Sequence, residues 1–160
     1  MPASERSSAT DATPAGPVLF AYDGSELAQL AIEEAGRQLA RGREAVVLCV
    51  WQPANVGFVP VDDVHFDAAQ ASEVRSAAER TAAHGASLAE RAGFRAESAA
   101  TQAAPTWKGI VEVADQRDAS LIVFGSHGRS GFAGHVFGSV ATSVSGRCGR
   151  SVLIVHRRPC

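Results

Sequence analysis

The chain is 160 residues long, 46% hydrophobic, and close to neutral with a formal net charge of -2. That is one domain's worth of sequence with enough apolar residues for a proper core. With only Arg157 and Arg158 adjacent among its basic residues, it offers no nucleic-acid surface. No apolar run approaches a membrane span, and no signal-peptide core follows Met1. The three cysteines are far apart and lack a C-x-x-C, which argues against a disulfide framework or a zinc site. A reduced cytoplasm is the expected compartment. The bias to Ala, Gly and Arg over Lys points to a GC-rich bacterial source.

Residues 1–16 are mostly Ser, Thr, Ala and Pro with scattered charges, a composition expected to form a disordered tail ahead of one domain over 17–160. Pro17-Val18-Leu19-Phe20-Ala21-Tyr22 reads as the first strand. Asp23-Gly24-Ser25 turns the chain, and Ser25 suits the N-cap of a helix with the stripe Leu27, Leu30, Ala31, Ala35 and Leu39. Asp23 therefore sits at the C-terminal end of a strand, where open α/β sheets bind ligands. Asp also suits a turn for its own sake, and the residues alone leave both roles open.

Arg41-Gly42-Arg43 ends that helix, and Ala45 to Trp51 is the second strand, with Cys49 as an inert core thiol. Residues 52–67 include Pro53, Gly57 and Pro60 and show neither period. The stretch is long for a connection, which makes it a candidate lid or partner surface. Phe58 and Phe66 within it suit packing and exposure equally. Ala68 to Ala92 is a long Ala-rich helix facing inward with Val74, Ala78, Ala82, Leu88 and Ala89, and Gly85 is its expected weak point. Gly93 closes it. Phe94 to Thr101 is a strand of modest hydrophobicity, suited to a sheet edge. Pro105 opens a helix whose apolar face is Ile110, Val111 and Ala114. Trp107 near its start reads better as a cover over the end of the sheet than as a ligand-stacking ring.

The stretch from Asp118 to Ser139 organises the rest. The apolar run Leu121-Ile122-Val123-Phe124 reads as a buried strand. It breaks at Gly125-Ser126-His127-Gly128, and after residues 129–137 Gly138-Ser139 opens a helical pattern through Val140, Val144 and Cys148. Strand, glycine loop and helix start form the layout that presents backbone N–H groups to a phosphate. The last helix ends over Gly146 to Gly149, and Ser151 to Val155 is the final strand. Two Arg and a Pro in the tail His156 to Cys160 blunt its exposed edge. Strands alternating with helices imply a doubly wound parallel sheet, with the first and fourth strands adjacent at the switch point. Neither G-x-G-x-x-G after the first strand nor G-x-x-x-x-G-K-[ST] occurs, so neither a dinucleotide fingerprint nor a P-loop is present.

Gly125-x2-Gly128-x9-Gly138-Ser139 resembles the nucleotide-binding signature of the universal stress protein family, and the resemblance runs from Pro17 to His156. It implies a single α/β domain with a five-stranded parallel sheet flanked by helices, of adenine-nucleotide alpha-hydrolase type. It further implies membership of the ATP-binding branch and a homodimer through the last strand. The run Ala21-Tyr22-Asp23-Gly24-Ser25 is similar to the family's first-strand motif, whose Asp lies at the nucleotide. Val50 matches the position whose main chain hydrogen-bonds adenine. The resemblance assigns Gly125 and Gly128 to close backbone passage by ribose and phosphates, with Ser126 and His127 as loop geometry. Gly138, Ser139 and Val140 supply N–H groups, and Arg129 and Ser130 reach phosphate oxygens. His135 stands where the family has an aliphatic residue. Mg²⁺ would arrive with the phosphates, and Asp23 is the nearby carboxylate.

The resemblance implies an adenine-nucleotide (ATP) binding module acting in stress response or signalling. A slow ATPase or phosphotransferase and a nucleotide-independent interaction protein are the alternatives. The sequence offers no carboxylate pair, Ser-His-Asp set, metal-ligand cluster or P-loop lysine, which favours binding over catalysis.

Overall fold

The computed structural model describes residues 16–52, 68–126 and 138–157. Strands and helices alternate along the chain: β1 (Val18–Ala21), α1 (Glu26–Gln38), β2 (Glu44–Trp51), α2 (Ala68–Arg91), β3 (Arg95–Gln102), α3 (Thr106–Gln116), β4 (Leu121–Gly125), α4 (Ser139–Ser145) and β5 (Ser151–Val155). The strands form one five-stranded sheet in the order β3-β2-β1-β4-β5, and every pairing is parallel. The order reverses between β1 and β4, as the alternation of elements implies.

Strand periodicity sorts the core into two layers. Val18, Phe20, Val47 and Val123 face α1 and α2, together with Ala31, Ile32, Ala86 and Ala89 from those helices. Leu19, Val46, Leu48, Ile122 and Phe124 face the opposite way, onto Ile110 and Ala114 of α3 and Ala141 and Val144 of α4. Both faces of the inner strands are therefore buried, which is why they read as continuous apolar runs.

Helix packing departs from the expected stripes. In α1 the buried residues are Ala28, Ala31, Ile32 and Ala35, whereas Leu27, Leu30 and Leu39 are only half-buried. Alanines let the helix lie close to the sheet, and the leucines flank that contact instead of filling it. In α2 the buried set is Ala78, Ala82, Gly85, Ala86 and Ala89, with Val74 and Leu88 half-buried. Gly85 has a packing duty: a Cβ there would lie 2.7 Å from both the Tyr22 ring and Val47 Cγ1. The helix lies too close to the sheet at that residue for a side chain.

Smaller differences concern ends. The third strand starts one residue later than expected, leaving Phe94 buried edge-on against Phe20 with ring centroids 5.2 Å apart. It lies at the sheet edge as its weak hydrophobicity suggests. Pro105 is the N-cap of α3 and not its first helical residue. Cys49 is buried. Trp107 packs against the α3/α4 layer, and the Arg147 guanidinium lies 4.7 Å from its ring centroid. The tail at 1–15 and the 53–67 stretch with Phe58 and Phe66 lie outside the described residues.

Candidate functional site

The strand registers open a notch at the C-terminal end of the sheet. The β1–β4 pairing stops at Phe20–Val123, yet β4 stays paired to β5 through Gly125–Val155. On the other side β1 reaches only Ala21–Leu48, while β2 continues with β3 as far as Trp51–Gln102. The central strand thus ends before its neighbours, and the floor of the notch is Ala21, with Tyr22 and Asp23 leaving it.

Main-chain direction follows from the same registers. Along a strand the N–H and C=O of one residue point to one neighbour and those of the next residue to the other. The Leu48 carbonyl accepts from Tyr22 N–H on the β1 side, and the Trp51 carbonyl accepts from Ala103 N–H on the β3 side. Val50 therefore turns its N–H and C=O toward β1, at a level where β1 has already ended. A donor and an acceptor from one residue face the notch side by side.

Asp23 has a turn role. Its Oδ1 accepts from Ser25 N–H at 2.9 Å, and the intervening Gly24 takes φ +81°, which a Cβ would oppose. Ser25 then caps α1, its hydroxyl accepting from Ala28 N–H at 3.2 Å. One short turn thus places a half-buried carboxylate at the mouth of the notch and starts the helix beside it. Next to it, burial pushes the Tyr22 hydroxyl above its ordinary range, and the Asp23 charge adds to this. Tyr22 Oη is 2.9 Å from His84 Nδ1, the partner that satisfies it under α2.

Two glycines of the expected cradle have other work. A Cβ on Gly125 would meet the backbone carbon and oxygen of Leu27 at 2.7 Å, so this glycine makes room for the first turn of α1. The N–H of Gly138 donates to the Ser126 carbonyl at 2.7 Å, and Ser126 N–H donates to the Val155 carbonyl at 2.8 Å. Gly138 is thereby taken out of the set of N–H groups facing a ligand. It ties the start of α4 to the end of β4. Its carbonyl accepts from Thr142 N–H at 3.0 Å as the N-cap of α4, and Ser139 and Val140 are the first helical residues. The N–H groups of a first turn have no acceptor within their own helix.

Of the residues expected at the site, Ala21, Asp23, Val50, Gly125, Ser126, Gly138, Ser139 and Val140 all lie at the C-terminal ends of β1, β2 and β4 or at the start of α4. His127, Gly128, Arg129 and Ser130 lie outside the described residues. Sequence reasoning missed two ties at this end: Gln52 Nε2 donates to Thr106 Oγ1 at 3.0 Å, and Arg157 pairs with Glu26 at 2.6 Å. Neither pair carries a local signal, since the partners are far apart in sequence. Among the described residues no three His, Cys, Asp or Glu side chains converge as a metal site.

Residues 15–156 match the universal stress protein family. The chain belongs to that family. A universal stress protein of Mycolicibacterium smegmatis is 32% identical over 144 residues, 89% of this chain and 46% of that protein. The chain thus spans about half the length of that curated relative. Among solved structures, hypothetical protein MJ0577 shares the fold at a TM-score of 0.75 with 22% identity, covering 91% of this chain and 98% of that one. A universal stress protein solved in complex with cAMP is 27% identical at a TM-score of 0.56, covering 88% and 96%. The parallel five-stranded sheet and its flanking helices are thus those of universal stress proteins.

Proposed function

We propose that this universal stress protein binds an adenine nucleotide, ATP foremost, in the notch above β1. The observation that carries the reading is the early end of β1, which leaves the Val50 N–H and C=O pointing toward β1 beyond its last paired residue. Adenine presents an amino donor beside the N1 acceptor, the complement of that pair. The family relative held with cAMP supports the same base. Asp23, half-buried where the chain leaves β1, lies where ribose hydroxyls would need an acceptor.

The phosphates belong to the stretch from Gly125 to Val140. Ser139 and Val140 N–H groups and the Ser139 hydroxyl donate from the start of α4, with Gly128, Arg129 and Ser130 completing the loop. Gly138 contributes by fixing that helix start. Bound ATP would bring charge that these donors stabilise, and Mg²⁺ arriving with the phosphates would have Asp23 as its nearby carboxylate. The described residues of the site include no His, Lys or Cys to act as a base on an attacking water, which supports a reading of binding and signalling with at most slow hydrolysis. Two chains pair through the open edge of β5, where Val152, Leu153 and Ile154 are only half-buried.

Calorimetric titration with ATP and AMP, with and without Mg²⁺, tests this on the native chain and on Ser139→Ala, which removes the hydroxyl donor at the start of α4. Saturable binding by the native protein that weakens in a folded Ser139→Ala variant is the expected result. Heat indistinguishable from dilution for both nucleotides would overturn the assignment.

A further inference from the structure

The opposite edge of the sheet carries a second feature, independent of the nucleotide site. β3 ends the sheet order and pairs along its length only with β2 among the described strands. Arg95 N–H donates to the Arg43 carbonyl and Ala103 N–H to the Trp51 carbonyl, so the odd-numbered residues face β2. By alternation, the N–H and C=O groups of Ala96, Ser98, Ala100 and Gln102 point outward from the edge.

The two halves of that edge differ. In the lower half the charged side chains are engaged, Arg95 with Glu44 and Glu97 with Arg117. The upper half, Ser98-Ala99-Ala100-Thr101-Gln102, has no charge and no proline, the usual guards of an exposed edge. Beside it runs a groove of about 610 Å³, walled by Ser76, Glu79, Arg80 and Ala83 of α2 and floored by Ser98 and Ala100 of β3. The four wall residues are spaced as one helical stripe. The floor side chains are small enough to admit another chain.

The wall also has a charge without a partner. Glu79 is held by Arg75 at 2.9 Å. Arg80, one position further on, makes no ion pair or hydrogen bond with another described residue. An outward ladder of donors and acceptors selects an extended backbone, and an uncompensated guanidinium selects a carboxylate.

We infer that the groove between α2 and the upper half of β3 receives an extended acidic segment of a separate partner protein. The segment adds to the sheet as a sixth strand and points a Glu or Asp side chain beneath α2 at Arg80. A second copy of this chain fits less well. Its open edges, Ser98 to Gln102 and Ser151 to Val155, contain no carboxylate side chain to meet Arg80.

The probes are two acetylated, amidated heptapeptides with threonine at alternate positions and valine, X and valine at the others, X being glutamate or lysine. Binding is read by amide hydrogen exchange at single residues. The glutamate peptide is expected to slow exchange at Ser98 and Ala100, leaving the already paired Ala99 and Thr101 little changed, and to bind about tenfold more tightly than the lysine peptide. Ser98→Pro removes an outward N–H without touching the β2 ladder, so the fold survives and affinity falls about tenfold. Arg80→Glu, an exposed helix substitution, is expected to invert the peptide preference.

No protection at Ser98 and Ala100 with millimolar peptide would overturn the inference. So would an unchanged preference in folded Arg80→Glu. Protection that grows with protein concentration in the absence of peptide would assign the edge to a second copy instead. None of these outcomes bears on the nucleotide site, which uses the opposite side of β2.

Discussion

The two ends of the sheet are built on different rules. At the N-terminal end the connections are residues 39–43, 92–94, 117–120 and 146–150, none longer than five. Strand starts are tied across the chain there. Arg43 donates to Ser120 Oγ at 2.7 Å, and that hydroxyl donates to the Gly16 carbonyl at 3.0 Å. Gly42 N–H donates to the Gly93 carbonyl at 2.7 Å, and Arg150 lies 3.2 Å from both Asp115 and Asp118. At the C-terminal end the connections include 52–67 and 126–138, and the central strand stops short. One end fixes where the strands stand. The other is the end at which open parallel sheets of this kind receive ligands.

The sharpest way to break that division is at Gly125, a residue of the ligand end with a structural duty. Gly125→Ala sets a methyl against Leu27 backbone, which cannot yield as a side-chain tip can. We expect a loss of about 3 kcal/mol in denaturant unfolding. A variant with native stability and weakened ATP binding would return Gly125 to the cradle. Next in size is Arg43→Ala at the opposite end. Arg43 is 9% exposed, and removing it leaves Ser120 without its donor. A loss of about 2 kcal/mol is expected, with ATP affinity unchanged, by unfolding and titration on one preparation.

A smaller effect is a pH dependence. The folded Tyr22 hydroxyl titrates above its unfolded value of 10.0, so the unfolded chain releases the proton first. Stability from this group is complete below pH 10 and declines as pH rises beyond it. Tyr22→Phe should remove that part of the alkaline decline, seen in melting temperature across pH 8 to 11 (on the order of the range spanned by the tyrosine pKa). Smallest is Arg157→Ala. Its ion pair with Glu26 joins side chains that are 64% and 82% exposed, and less than about 0.5 kcal/mol is expected.

Much of this was legible in the chain. Ser151 to Val155 is a strand to the residue, Ser25 caps α1, and the alternation of elements gave the parallel sheet. What was illegible depends on distant neighbours. Glycine in a sequence signals backbone freedom, but Gly85 and Gly125 are needed because Tyr22, Val47 and Leu27 lie against them. The α1 leucines outweighed the alanines by hydrophobicity, yet closeness to the sheet selects small residues for the contact. Val50 could be placed on a strand from sequence and its main-chain role came from the resemblance alone, but the direction its N–H and C=O face follows only from the β1–β2 and β2–β3 registers.

The direct test of the account is paired calorimetric titration of the protein with ATP and with inosine triphosphate. The two ligands share ribose and phosphates but differ at the base edge, where inosine has an N1–H donor and a C6 carbonyl acceptor. The Val50 pair predicts saturable ATP binding and inosine triphosphate weaker by about tenfold or more, because its polar edge would oppose donor to donor. Equal affinity for the two would contradict base reading by Val50, and no binding of either would contradict the nucleotide site itself.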